Sequence, residues 1–210
     1  MFKKVVLVNT FLAGVITVPL GVLWDEFIIL WLGEDYVVSS LIVWSLLLNF
    51  CCQLIDASIW QFRDTTGMFV YVKGVLILDA IVNIVLSVIM GKCMGIAGVY
   101  LATVVSNFLT YYWYDAKVIY TRVFQVAAYK KYVLYLTGNI AGIMALSYGL
   151  KKLLSGWQQG IMFWLFKGVI SVFAFIIVFW LVYGRRSECR ELLELLKWFV
   201  YRKQTRENRR

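Results

Sequence analysis

The sequence predicts an all-α integral membrane protein, with about six transmembrane helices followed by a C-terminal amphipathic basic helix. Three observations lead there. Hydrophobic residues make up 62% of the 210 residues and charged residues 16%, whereas a soluble domain averages about 45–50% and 25%. Several apolar runs last about 20 residues, the helix length that crosses roughly 30 Å of hydrocarbon. The chain has one proline, Pro19, so little interrupts those runs. A soluble core at this length has no room for so much continuous apolar surface.

Six spans follow from the runs: Val5–Trp24, Val37–Ile59, Met68–Met90, Ile96–Tyr114, Tyr132–Leu150 and Ile161–Tyr183. Together they make a membrane domain over residues 1–183, with a polar tail over 184–210. The first run is too long for a signal peptide and lacks the small-residue cleavage site. The connections are short, as between antiparallel neighbours.

Orientation follows from lysine and arginine beside the spans. One side carries Lys3, Lys4, Arg63, Lys117, Arg122, Lys130, Lys131 and the basic tail. The other carries Lys92, Lys151 and Lys152, and its first loop is acidic, with Asp25, Glu26, Glu34 and Asp35. Both termini are therefore expected in the cytoplasm. Trp24, Trp31, Trp60, Trp113, Tyr114, Trp157 and Tyr183 lie near span ends, as in interfacial belts. The formal net charge of +9 sits in the tail and alternate loops, a pattern of membrane topology and not of nucleic-acid binding.

The tail reads as an amphipathic helix lying on the membrane surface. Leu192, Leu196, Phe199 and Val200 recur at helical spacing, with Arg190, Glu194, Lys197 and Tyr201 on another face. Arg202, Lys203, Arg206, Arg209 and Arg210 would be drawn to anionic lipid headgroups. The alternative is a frayed basic tail that only marks the inside.

Polar residues within spans are costly and face a partner or a cavity. Asp79 lies at the middle of the third span, with Asn83 and Ser87 following at i+4 and i+8 on one face. The stripe is either the wall of a hydrophilic cavity or an interhelical hydrogen-bond seam. Asp56 and Lys73 flank the Arg63 turn, each roughly 8 Å into its span at 1.5 Å per residue. A hairpin would bring them together as a structural ion pair. Alternatively, Lys73 and Arg63 offer positive charge to an anionic substrate group. Lys167 is expected to snorkel to the interface. Gly98, Ala102 and Ser106 recur every fourth residue, and Gly138 and Gly142 form a GxxxG; both are read as packing faces.

No catalytic centre emerges. The chain has no histidine, no GxSxG and no Walker A pattern. Cys51, Cys52, Cys93 and Cys189 have no zinc or CxxC spacing and read as small apolar side chains. No enzyme activity, metal or cofactor is expected.

The order of local motifs adds a resemblance. ILWLGEDY (Ile29–Tyr36) ends one helix and QFRDTTGM (Gln61–Met68) makes a short turn. ILDAIVNIVLS (Ile77–Ser87) carries the polar stripe, GIAGVYLATVVS (Gly95–Ser106) opens the fourth span and WYDAKVIY (Trp113–Tyr120) closes it. This succession, over about Val5 to Tyr132, resembles the Wzx-like polysaccharide flippases of the multidrug/oligosaccharidyl-lipid/polysaccharide exporter superfamily. The resemblance implies translocation of undecaprenyl-diphosphate-linked oligosaccharide across a bacterial plasma (inner) membrane, for capsule, exopolysaccharide or O-antigen synthesis. It places the chain as the last helices of the second lobe plus a terminal pair, and implies a missing N-terminal lobe or partner chain. Arg63, Lys73, Asp79 and Asn83 become the substrate-binding candidates. The alternatives are a multidrug exporter of the same superfamily, a membrane enzyme of glycan assembly, or a non-transporting helper that packs on a partner.

Overall fold

The computed structural model describes residues 2–157, 160–191 and 194. Among them are seven α-helices and no strand. They are α1 (Phe2–Trp31), α2 (Ser40–Thr65), α3 (Phe69–Met94), α4 (Ile96–Leu109), α5 (Tyr111–Val118), α6 (Tyr129–Leu154) and α7 (Ile161–Tyr183). Five of these, α1, α2, α3, α6 and α7, are long and apolar enough to cross a membrane. The protein is an all-α membrane protein. Of the expected amphipathic tail helix, Arg190, Glu191 and Glu194 are described and the rest lies outside the described residues.

Most helices overrun the apolar runs that predict them. α1 continues seven residues past Trp24, because no breaker intervenes before Gly33, whose φ of 102° favours glycine. The overrun corrects one expectation. Asp25 and Glu26 lie on α1 and not in a solvated loop, whereas Glu34 and Asp35 form an exposed 3₁₀ turn. Gly67 (φ 69°) and Gly95 (φ 61°) likewise close the turns after α2 and α3.

The fourth span departs from the continuous run expected over Ile96–Tyr114. It divides at Thr110 (φ −111°, ψ −93°) into α4 and α5. The Thr110 hydroxyl lies 2.7 Å from the Ser106 carbonyl and 2.6 Å from Asp79 Oδ1. A hydroxyl that bonds back to the i−4 carbonyl bends a helix; here its one proton lies between that carbonyl and Asp79 of α3, which ties the break to α3. A π-turn at Ile119–Val123 then ends α5.

α1 is the hub of the bundle. α2, α6 and α7 all pack on it, α2 packs on α4, and α4 packs on α3. α3 is peripheral: it packs on α4 and α5, and among its residues Val72 alone is buried. Where helices approach most closely, glycine makes room. A Cβ on Gly14 would lie 2.1 Å from the Phe175 ring of α7, and one on Gly98 would lie 2.1 Å from the Met90 carbonyl oxygen of α3. Gly98, Ala102 and Ser106 are all buried, as expected of a packing face. The Gly138–Gly142 pair is different. Nothing lies within 4 Å of either missing Cβ, and both border a groove of about 140 Å³ against α7. Phe175 and Phe179 from α7 also line this groove.

For description, the proximal end of the bundle is where α1 begins and α7 ends; the distal end is the other. At the distal end two ion pairs close α1 onto the terminal helices. Lys151 of α6 lies 2.7 Å from Asp25 Oδ2, and Lys167 of α7 lies 2.5 Å from Glu26 Oε1. Lys167 does not snorkel. It is 1% exposed, and the α1 overrun places a carboxylate beside it. Ser171 donates to the Lys167 carbonyl one turn on. Removing one partner of such a buried pair costs roughly 3–5 kcal/mol, because the remaining charge stays buried. Lys167→Met and Glu26→Leu are each expected to lower the melting temperature of the detergent-purified protein. The double variant is expected to melt well above the sum of the two losses. Additive losses in the melts would mean that the two side chains do not interact.

Candidate functional site

The four residues singled out as substrate-binding candidates fall in two places. Asp79 and Asn83 lie on the face of α3 that meets α4. Arg63 lies at the proximal end of α2, and Lys73 stands exposed on the second turn of α3.

The α3–α4 seam follows from antiparallel register. Asp79 Oδ1 accepts from the Thr110 hydroxyl at 2.6 Å, and Asn83 Nδ2 donates to Ser106 Oγ at 3.0 Å. A step of four residues up α3 matches a step of four down α4, so each helix presents an i, i+4 polar pair to the other. Ser87 Oγ lies 3.4 Å from Asn83 Oδ1 and extends the stripe by a further turn. Both partners are buried, Ser106 on α4 and Thr110 at the break that follows it. Asp79, Asn83 and Ser87 are only half-buried. One edge of the stripe is bonded to α4 and the other is open. The expectation left cavity wall and hydrogen-bond seam as alternatives; within this chain the stripe makes the bonds of a seam.

Ser106 had been read only as a small packing residue, and Thr110 had not been singled out. The signal was present: Ser106 and Thr110 form an i, i+4 polar pair within an apolar run, the complement of Asp79 and Asn83.

At the proximal end Arg63 holds two carboxylates. Its Nη1 lies 2.7 Å from Asp115 Oδ2 of α5, and its Nε lies 3.0 Å from Asp64 Oδ1. Asp115 is fully buried and Arg63 nearly so. The guanidinium also sits 5.8 Å from the centre of the Phe69 ring. Its planar fork suits this simultaneous engagement. The charge that Arg63 was expected to offer to a substrate is met by the protein's own carboxylates. Asp115 sits in the WYDAKVIY stretch, where its side chain had been assigned no role.

The expected Asp56–Lys73 pair does not form. α2 and α3 do not fold as a packed hairpin, because α4 packs on both. Asp56 is 2% exposed, in the core of α2 beside Ile55 and Ile59. Its Oδ1 has no hydrogen-bond partner among the described residues, and neither has Asp115 Oδ1 or Trp60 Nε1. Lys73 is in no ion pair among the described residues.

Cys51, Cys52 and Cys189 are buried, Cys93 is exposed, and none forms a disulfide. Among the described residues, no group of three His, Cys, Asp or Glu side chains is placed to hold a metal ion.

The Arg63 fork yields a testable expectation. Lysine keeps the charge but presents a point donor in place of the fork. Arg63→Lys should therefore destabilise the detergent-purified protein by about 1–3 kcal/mol, the range for a lost charged hydrogen bond. Arg63→Met should cost more, because it leaves Asp115 buried and unpaired. Equal melting temperatures for Arg63→Lys and the unaltered protein would show that the double engagement contributes nothing. No family model, curated protein sequence or solved structure matches the chain.

Proposed function

We propose that this chain is the C-terminal portion of a membrane transporter of the polysaccharide-flippase type. It would carry lipid-diphosphate-linked oligosaccharide across a bacterial inner membrane, with both termini in the cytoplasm and no chemical step of its own. The observation that carries the reading is the setting of α3. This helix packs on one side only, yet bears a half-buried stripe of Asp79, Asn83 and Ser87 between its apolar flanks. A carboxylate and an amide that are half open at membrane depth need water or a polar partner on their open edge. A polar passage completed by another lobe supplies both, and sugar hydroxyls are matched by such groups. The succession of local motifs described above supports the same reading.

Among the four substrate-binding candidates, the geometry favours Asp79, Asn83 and Lys73 over Arg63. Lys73 is an exposed cation on the same helix, suited to a diphosphate, while Arg63 is already bound to Asp64 and Asp115. Orientation is supported by charge. Lys3, Lys4, Arg63, Arg122, Lys130 and Lys131 lie at the proximal end, against Lys92, Lys151 and Lys152 at the distal end.

The test uses cysteine accessibility in intact membranes, in a chain whose four native cysteines are replaced. Asp79→Cys is expected to react with a small water-soluble thiol reagent, and Ile84→Cys, on the apolar face, is expected not to. Asp79→Ala, supplied with a first lobe in a flippase-deficient strain, should reach the membrane normally yet fail to restore surface polysaccharide. Normal export by Asp79→Ala, or a position 79 sealed from the reagent throughout, would overturn the reading.

A further inference from the structure

We propose that the proximal end holds a binding site for the phosphate of an anionic membrane phospholipid, built by the starts of α1 and α6 and the segment after α7. The site is separate from the α3 stripe and requires only the membrane setting.

A cavity of about 290 Å³ lies where these three segments meet. Lys3, Lys131 and Arg186 border it, against one carboxylate, Glu188. Glu188 lies 3.5 Å from Lys3 Nζ, so that pair is largely self-compensating. Lys131 and Arg186 have no carboxylate partner among the described residues. Arg186 instead lies beside two rings, 5.1 Å from the centre of Tyr135 and 5.2 Å from that of Tyr183. Cation–π contact of this kind holds the guanidinium in place without consuming its N–H groups, which remain able to reach an anion.

Two further donors point the same way. Ala128, which borders the cavity, is the N-cap of α6 and gives that helix start no side-chain cap. Backbone N–H groups at an uncapped helix start attract a phosphate. Tyr132, one turn in, also lines the cavity. It is 7% exposed and its hydroxyl has no partner among the described residues. A buried hydroxyl without a partner is costly, and a phosphate oxygen would satisfy it.

The remaining walls specify a lipid over free phosphate. Val6 and Leu7 of α1 line the same cavity. A second cavity of about 640 Å³ shares Lys3, Tyr120, Ala128 and Glu188 with it and adds Phe2, Phe62 and Phe124. A phosphate held by the cations would leave its glycerol and the first acyl carbons against these apolar side chains, at the level where the helices leave the hydrocarbon. Basic groups at a membrane surface are drawn to anionic headgroups generally; here a cavity with an apolar wall and oriented donors adds selectivity for a bound molecule.

The experiment titrates the full chain, purified in non-ionic detergent, with phosphatidylglycerol, phosphatidylcholine or inorganic phosphate, and follows thermal melting. Phosphatidylglycerol is expected to raise the melting temperature saturably, and the other two are not. Lys131→Gln combined with Arg186→Gln should raise the half-saturating concentration at least roughly ten-fold, as expected from losing charged hydrogen bonds. Tyr132→Phe should raise it several-fold. Neutralising Arg202, Lys203, Arg206, Arg209 and Arg210 to glutamine should leave the response in place. Crosslinking by a photoactivatable phosphatidylglycerol, mapped to the first turns of α6, gives a readout that does not depend on melting. An unchanged response in the Lys131/Arg186 variant, loss of the response in the tail variant, or crosslinks confined to the tail would each overturn the proposal. A shift reproduced by inorganic phosphate alone would overturn the lipid assignment.

Discussion

Hydrocarbon offers no hydrogen bonds, and that constraint selects which helices of this bundle become neighbours. Several polar side chains within the helices are met by one from a different helix, although Asp56 is not. Lys167 finds Glu26, Arg63 finds Asp115, Asn83 finds Ser106, and Asp79 finds Thr110. Tyr183 adds a fifth such link, donating to Asn139 Oδ1 at 2.5 Å. Apolar packing is available to almost any pair of such helices, so it discriminates poorly among arrangements. The polar pairs are few and specific, and they fix register. The antiparallel match of Asp79–Asn83 with Thr110–Ser106 fixes the α3–α4 register, and the Gly98–Met90 backbone approach agrees with it.

The same constraint explains how the bundle is closed. α1 touches α2, α6 and α7 and carries acidic groups at its distal end for the lysines of α6 and α7. At its proximal end Phe2 packs among Phe62, Phe124 and Tyr132, joining α1 to α2, the end of α5 and α6. α3 lies outside this closed set and meets it through α4 and α5. A peripheral helix that carries polar groups is suited to face a passage, and the transport reading rests on that asymmetry.

The apolar runs made the helices legible in the sequence, and the last span, Ile161–Tyr183, matches its expected limits. What runs of composition do not encode is which helix stands beside which. Asp56 and Lys73 were expected at one depth from the span limits, and depth alone suggested a pair. α4 packs on both α2 and α3, and the pair does not form. Lys167, six residues into its span, was expected to snorkel; seven further residues of α1 place Glu26 beside it. The GxxxG of α6 suggested close packing, but no atom lies within 4 Å of a Cβ at either glycine, and both border an open groove. Within the candidate site, the α3 stripe was legible because helical periodicity displays it. Its partners on α4, and the Asp115 partner of Arg63, depend on tertiary register that no single run reveals.

The central claim is that the polar face of α3 is turned to α4 in this register. Disulfide trapping in native membranes tests it most directly, in a chain whose four native cysteines are replaced. The Asn83→Cys and Ser106→Cys pair is expected to form a bond rapidly under mild oxidation, as detected by mass spectrometry of the linked peptides. The Ile84→Cys and Ser106→Cys pair should stay reduced. Efficient trapping of the 84–106 pair with none at 83–106 would contradict the account, because it would place the apolar face of α3 where the polar seam is described.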